Sequence, residues 1–211
     1  MLGSLWANRV EIFGGVNVAV DLISELDVII QGGVKTGGKL HGRNINISGG
    51  ANVKEDVKAS NLTISGGLKA NGKIVVDGIT EIIGGIGSYS DINAGQLTTI
   101  GGLTAEGSVK IKGILDVRGK IEVEKNIECD DFIFKISGPS YIRGKLSANK
   151  IRIERDEFAK SEAFLNVTEI VSPNRIEIDY VIAERVVCPK LKAGQNTRIG
   201  EPIEKAYKPK Y

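Results

Sequence analysis

Leu97-Thr-Thr-Ile-Gly-Gly-Leu103-Thr-Ala-Glu-Gly-Ser-Val109-Lys-Ile-Lys-Gly-Ile-Leu115-Asp-Val-Arg-Gly-Lys-Ile121-Glu-Val123 places an apolar residue at every sixth position. Two residues after each comes a second small or apolar one: Thr99, Ala105, Ile111, Val117, Val123. The residue between them is polar: Thr98, Thr104, Lys110, Asp116, Glu122. Side chains of an extended chain alternate between its two faces, so each triplet reads as a short strand with one buried side. Three residues separate consecutive triplets, enough for a corner and too few for a helix.

A longer period lies over this one. Glycine pairs recur at Gly14-Gly15, Gly32-Gly33, Gly49-Gly50, Gly66-Gly67, Gly84-Gly85 and Gly101-Gly102, in steps of 17 or 18 residues. Self-similarity at a fixed period is the mark of a repeat architecture. Three hexads make one 18-residue turn, so the expected fold is an all-β, single-stranded parallel β-helix with triangular coils of 17–18 residues. The general preference for right-handed parallel crossovers, about 98%, favours a right-handed wind, with left-handed hexapeptide solenoids as the exception. Glycine suits the corners because it takes φ > 0 without steric cost; Gly72, Gly78, Gly107, Gly113 and Gly119 mark further corners.

The same rule runs through the N-terminal half as Val10/Ile12, Val16/Val18, Leu22/Ser24, Val28/Ile30 and Val34/Thr36. One coil on, like positions should stack, as in Val10, Val28, Ile45, Leu62, Leu97, Leu115 and Ile151. Residues 79–94 are less regular. The register breaks at residues 155–163, read as a loop or insertion. It resumes with five-residue steps at Leu165/Val167, Ile170/Ser172, Ile176/Ile178 and Val181/Ala183, which predicts narrower coils over 164–200. Residues 1–9 read as a short apolar segment, 10–154 as the main solenoid and 201–211 as a flexible basic tail. About eight full coils and two narrower ones would form a rod roughly 45–50 Å long.

Composition agrees. Of 211 residues, 27 are Gly and only 5% are aromatic, so the core must be built from Val, Ile, Leu and Ala. A net charge of +2 gives no footprint of a dedicated nucleic-acid binder. Cys129 and Cys188 make no disulfide framework and no C-x-x-C, and read as small core residues. The first nine residues lack the pattern of a signal peptide, and no apolar run approaches a membrane span. The expected location is the cytoplasm, with membrane association left open.

The glycine-cornered turns Ile47-Ser-Gly-Gly50, Ile64-Ser-Gly-Gly67 and Ile111-Lys-Gly113, with strands such as Leu146-Ser-Ala-Asn-Lys-Ile-Arg-Ile153 and Val181-Ile-Ala-Glu-Arg-Val-Val187, resemble the bactofilins. These are polymer-forming cytoskeletal proteins of bacteria, with relatives in archaea. The resemblance spans roughly residues 10–200. It implies a right-handed parallel β-helix that joins end to end into non-polar filaments without nucleotide, often attached to a membrane. This chain is longer than the usual family core, and its C-terminal coils are narrower.

The ends of the repeat support the same expectation from the residues themselves. A terminal coil exposes unpaired backbone groups and bare core side chains, which template edge pairing unless a polar element caps them. Leu2, Leu5 and Trp6 precede the first full coil at Val10 and Ile12. They can cover the open core, bridge to a second subunit or insert shallowly into a bilayer. These five residues are the candidate self-assembly or membrane-contact residues.

Enzymatic readings find little to stand on. Gly33-Val-Lys-Thr-Gly-Gly38-Lys39 fits the first seven positions of a phosphate-binding loop, but Leu40 stands where Ser or Thr should bind magnesium. Hexapeptide acyltransferases share an 18-residue coil and use a His as general base. The one His, His41, is expected at a corner, and a lone His cannot make a three-His zinc site. Asn46, Asn61 and Asn166 begin glycosylation sequons but lie in expected strands. The expectation is therefore a non-enzymatic, self-assembling scaffold whose partner is itself, with no cofactor, metal, small-molecule substrate or nucleic acid. The alternatives are a non-polymerising solenoid that acts as a binding module or oligomeric spacer and, behind it, an acyltransferase.

Overall fold

The computed structural model describes residues 3–159 and 161–200. Twenty strands and no helix make up these residues, and every strand pairing is parallel. The chain winds as a β-solenoid of about eleven turns, and pairing between coils forms three ladders, one on each side of a triangular section.

The first ladder runs Leu5, Leu22, Leu40, Val57, Ile74, Ile92, Val109, Ile127, Leu146, Ile170, Val186. The second starts at Val10 and passes through Val28, Ile45 and Leu62 to Leu97, Leu115, Phe132 and Ile151, then ends at Leu191. The third carries Val16, Val34, Ala51, Leu68, Ile86 and Leu103. At about 4.8 Å per rung the rod is about 48 Å long. These inward residues form one continuous apolar core.

The expected stack from Val10 to Ile151 is present, and the rung missing from it at residues 79–94 is Thr80. A register shift between Val76 and Thr80 inserts one residue there and returns the chain to the ladder one position late. Beyond this shift residues 79–94 pair as regularly as their neighbours. Corners are less interrupting than the hexads suggest. Val57–Ala70, for example, is a single strand that carries three inward pairs around two corners.

Leu5–Ala7, expected ahead of the solenoid, is the first strand, β1, and pairs with β4 (Leu22–Ser24). Leu5 and Ala7 thus turn inward and Trp6 outward. After β15 (Ser140–Arg155) the chain leaves the coil and re-enters at β16 (Leu165–Val171). Beyond this excursion Leu165 pairs with Val181 and Ile176 with Leu191, giving coils of 16 and 15 residues, narrower than those before it. Residues 201–211, expected to form a basic tail, lie outside the described residues.

The two members of each glycine pair do different things. Gly14, Gly32, Gly49, Gly66, Gly84 and Gly101 have φ between 103° and 140°, and Gly119 continues the column at 149°. From Gly32 onward each Cα sits against the carbonyl of the glycine one coil before, leaving no room for a Cβ. Gly119 was expected to mark a separate corner; its pairing with Gly101 makes it the seventh member of the main column.

Candidate functional site: the ends and one side of the rod

At the N-terminal end the outer edges of β1, β2 (Val10–Phe13) and β3 (Val16–Val18) have no partner strand among the described residues. Val10 is 5% exposed, and Leu5, Ile12 and Val16 are half-buried, whereas Leu22 and Val28 one coil deeper are fully buried. Large apolar side chains flank this edge: Trp6 is 72% exposed and Phe13 76%. Four of the five candidate residues, Leu5, Trp6, Val10 and Ile12, therefore lie on the terminal coil, and Trp6 alone among them points out from its side. Leu2 lies outside the described residues.

At the C-terminal end β19 (Leu191–Ala193) and β20 (Arg198–Ile199) form the last described rungs, with Leu191 and Ile199 exposed. This end is narrower, its strands are shorter, and Lys192 and Arg198 point out beside its apolar residues.

Along the side, the second glycine of each pair forms a column Gly15, Gly33, Gly50, Gly67, Gly85, Gly102. The column is the floor of a groove of about 920 Å³ that crosses six coils. One wall carries the outward residues Asn17, Lys35, Asn52 and Lys69. Tyr89 stands near the far end, its ring 4.7 Å from Lys69 Nζ, and Glu106 follows it one coil on.

The residues considered for chemistry are dispersed. His41 lies on β7 (Leu40–Ser48) as an exposed outward residue between Ile23 and Lys58, and not at a corner. The loop-like Gly33–Lys39 is β6 (Val34–Thr36) and its corner, where the buried Thr36 hydroxyl donates to the Gly38 carbonyl. Cys129 is buried, and burial, followed by the nearby Asp130, Asp131 and Glu128, pushes its thiol up to about 12. Cys188 is half-buried against the core. Asn46 is exposed, Asn61 donates to Asn44 Oδ1 at 3.0 Å, and Asn166 is buried. Among the described residues no three His, Cys, Asp or Glu side chains gather as a metal-ligand group, and no helix is long and apolar enough to cross a membrane.

One device escaped the hexad reading. Asp21, Asp56, Asp91 and Asn126 each precede a strand of the first ladder and accept the backbone N–H of Lys39, Lys73, Ser108 and Lys145, one coil on, at 2.7–2.9 Å. At Asp91 the bond from Ser108, with the Lys73 ammonium at 3.4 Å, holds the carboxyl below its usual range. The glycine before each donor leaves room for the acceptor. The signal was legible as an Asp or Asn every 35 residues, which is every second coil.

These features define an all-β parallel solenoid whose terminal coils have, among the described residues, no partner strand on their outer edges, with a long lateral groove along its side. No family model, curated protein or solved structure matches the chain.

Proposed function

We propose that this chain is a non-enzymatic, bactofilin-like structural protein that joins end to end into filaments without nucleotide. The observation that carries this reading is the N-terminal edge: three parallel strands whose outer sides have no partner among the described residues, apolar side chains of the core on this last coil, and Trp6 and Phe13 exposed beside them. Stacking a second coil there extends three ladders and buries these groups, the solenoid's ordinary way of gaining stability. Coil size bears on which ends meet. An N-terminal coil of 17 residues matches another N-terminal coil better than a C-terminal coil of 15 or 16. Peripheral membrane contact through Trp6 is a further use of the same edge, in keeping with a cytoplasmic filament at a membrane surface.

Negative-stain electron microscopy of the purified protein at micromolar concentration, without nucleotide, tests the proposal. Long thin filaments are expected. Uniform single rods would sink it in favour of a non-polymerising binding module, the second reading, which the lateral groove supports.

A further inference from the structure

The first glycine column is dictated by the backbone; the second is not. Gly15, Gly33, Gly50, Gly67 and Gly85 have φ outside the left-handed region, and a Cβ there would meet nothing closer than a carbonyl oxygen at 3.7–3.9 Å. At Gly102 a Cβ would meet nothing within 4 Å. The next rung of this column is Lys120, so the fold accepts a side chain at the position. Glycine weakens a strand interior, and where the strand does not need it, it marks close approach by a ligand or another chain. Six successive glycines keep one groove empty of side chains for about 24 Å along the axis.

We infer that this groove binds a linear acidic polysaccharide lying along the rod. The floor's backbone groups are spent on neighbouring coils, as in Val16 N–H to Gly33 O and Val34 N–H to Gly50 O. The groove crosses the strands, so a peptide cannot add to it as a further strand. What remains is an apolar Cα surface with polar hands on one wall, suited to the C–H face of sugar rings. Lys35 and Lys69 stand two coils apart, about 10 Å, with Asn52 between them and Asn17 before them. Pyranose units repeat at close to the coil spacing, so the two ammonium groups face carboxylates on alternate sugars. Asn17 and Asn52 face hydroxyls. Tyr89, braced by Lys69, offers a ring for the terminal sugar, an uncharged unit because Glu106 also lines this end of the groove. Two lysines over this length are too sparse for a nucleic-acid strand, which carries a charge about every 3.4 Å. The inference stands whether or not the rods join end to end.

Fluorescence anisotropy with a labelled hyaluronan decasaccharide, which carries one carboxylate per disaccharide, tests it. Binding is expected to weaken at least tenfold in Gly67→Leu and several-fold in Lys35→Gln and in Lys69→Gln. Lys110→Gln, on another side of the rod, should leave it unchanged. A thermal melt checks that Gly67→Leu is folded, and Gly50→Ser with the two lysine variants decides the matter if it is not. Three results would each overturn the inference: no binding of the acidic glycan, equal binding of a neutral dextran oligomer, or binding that Gly67→Leu leaves intact. Tighter binding of oligothymidylate would also overturn it and assign the groove to nucleic acid.

Discussion

The carbonyl oxygen of Gly84 lies where a Cβ on Gly101 would have to go, and Gly101 itself sits at φ 140°. Neither strain can relax alone, because Gly84 and Gly101 are paired rungs of one ladder. Gly101→Ala should therefore cost about 3 kcal/mol or more and lower the melting temperature by roughly 10 °C. Its neighbour makes the control. Gly102 meets no such atom, so Gly102→Ala should be neutral or stabilise by about 0.4–1 kcal/mol. Circular-dichroism melts of the two variants separate backbone demand from groove demand; equal losses would show that the fold needs both columns.

Assembly should fail when a charge is placed at the terminal coil. Val10 is buried and Ile12 half-buried on the terminal coil, where the long stem of a lysine can carry its ammonium past the unpartnered edge of a free rod, but a junction would bury it. Val10→Lys and Ile12→Lys should keep the β-sheet spectrum of the parent and lose filaments in negative stain. Trp6→Ala should leave filaments intact if Trp6 serves a membrane, and shorten them if it serves the junction. Filaments that persist in both lysine variants would place the junction away from this end.

An ion pair helps to hold the loop between β15 and β16, beside the bonds from Asp156 N–H to the Ile136 carbonyl and from the Arg155 guanidinium to the Ala159 carbonyl. Arg118 Nε donates to Asp156 Oδ2 at 2.6 Å, and Phe158 N–H donates to Asp156 Oδ1 at 3.0 Å. The Arg118 hydrogen bond, then the Phe158 one, hold the Asp156 carboxyl below its ordinary value. A carboxyl depressed in the folded state stabilises above its unfolded pKa, about 3.9, and the contribution is lost as pH falls through the folded value. Asp156→Asn should melt a few degrees below the parent at pH 7 and together with it near pH 2. A gap that persists at low pH would assign the effect to packing.

How much of this was readable in advance depends on which residues carried the information. The inward triplets were readable because a two-residue alternation is forced by extended backbone, and Leu97, Leu103 and Val109 obey it without exception. Residues 79–94 read as less regular, but the cause was not readable, since Asp77-Gly78-Ile79 has the composition of an ordinary corner and only the pairing shows the residue added between Val76 and Thr80. Trp6 and Leu5 looked equivalent as apolar residues near the start, and only the pairing of β1 with β4 turns one outward and the other inward. The groove was hidden for a different reason. Both glycines of a pair look alike in sequence, and the φ of the first and the free space beside the second are properties of the coil above and below.

Cysteine reactivity should report the core directly. With its thiol pushed up to about 12, Cys129 holds almost no thiolate at pH 8 and is shielded by burial. Ellman's reagent should therefore find a single fast thiol, the half-buried Cys188, in the native rod and two after denaturation. Two fast thiols in the native protein would mean that the coil around Cys129 opens on the timescale of minutes.

Thr80 and Thr99 occupy inward positions of adjacent coils, and their hydroxyls are buried without a hydrogen-bond partner. Elsewhere in the core the buried Thr36 and Ser140 hydroxyls each donate to a carbonyl two residues away, Gly38 and Gly138. Thr80 and Thr99 stand between apolar ladder residues, Leu62 and Leu97 beside Thr80, Ile82 and Val117 beside Thr99, and neither hydroxyl reaches a carbonyl. A buried hydroxyl without a partner costs about 1–3 kcal/mol, and Val fills nearly the same shape. Thr80→Val and Thr99→Val should each stabilise the rod by about 1 kcal/mol, read as a rise of roughly 2–4 °C in melting temperature. The sites lie one coil apart, so the double variant need not be additive, and a gain smaller than the sum would show that the two hydroxyls share a partner such as a buried water. A loss of stability in both single variants would mean that each hydroxyl is satisfied in the native protein and that this stretch of core is wetter than its apolar neighbours.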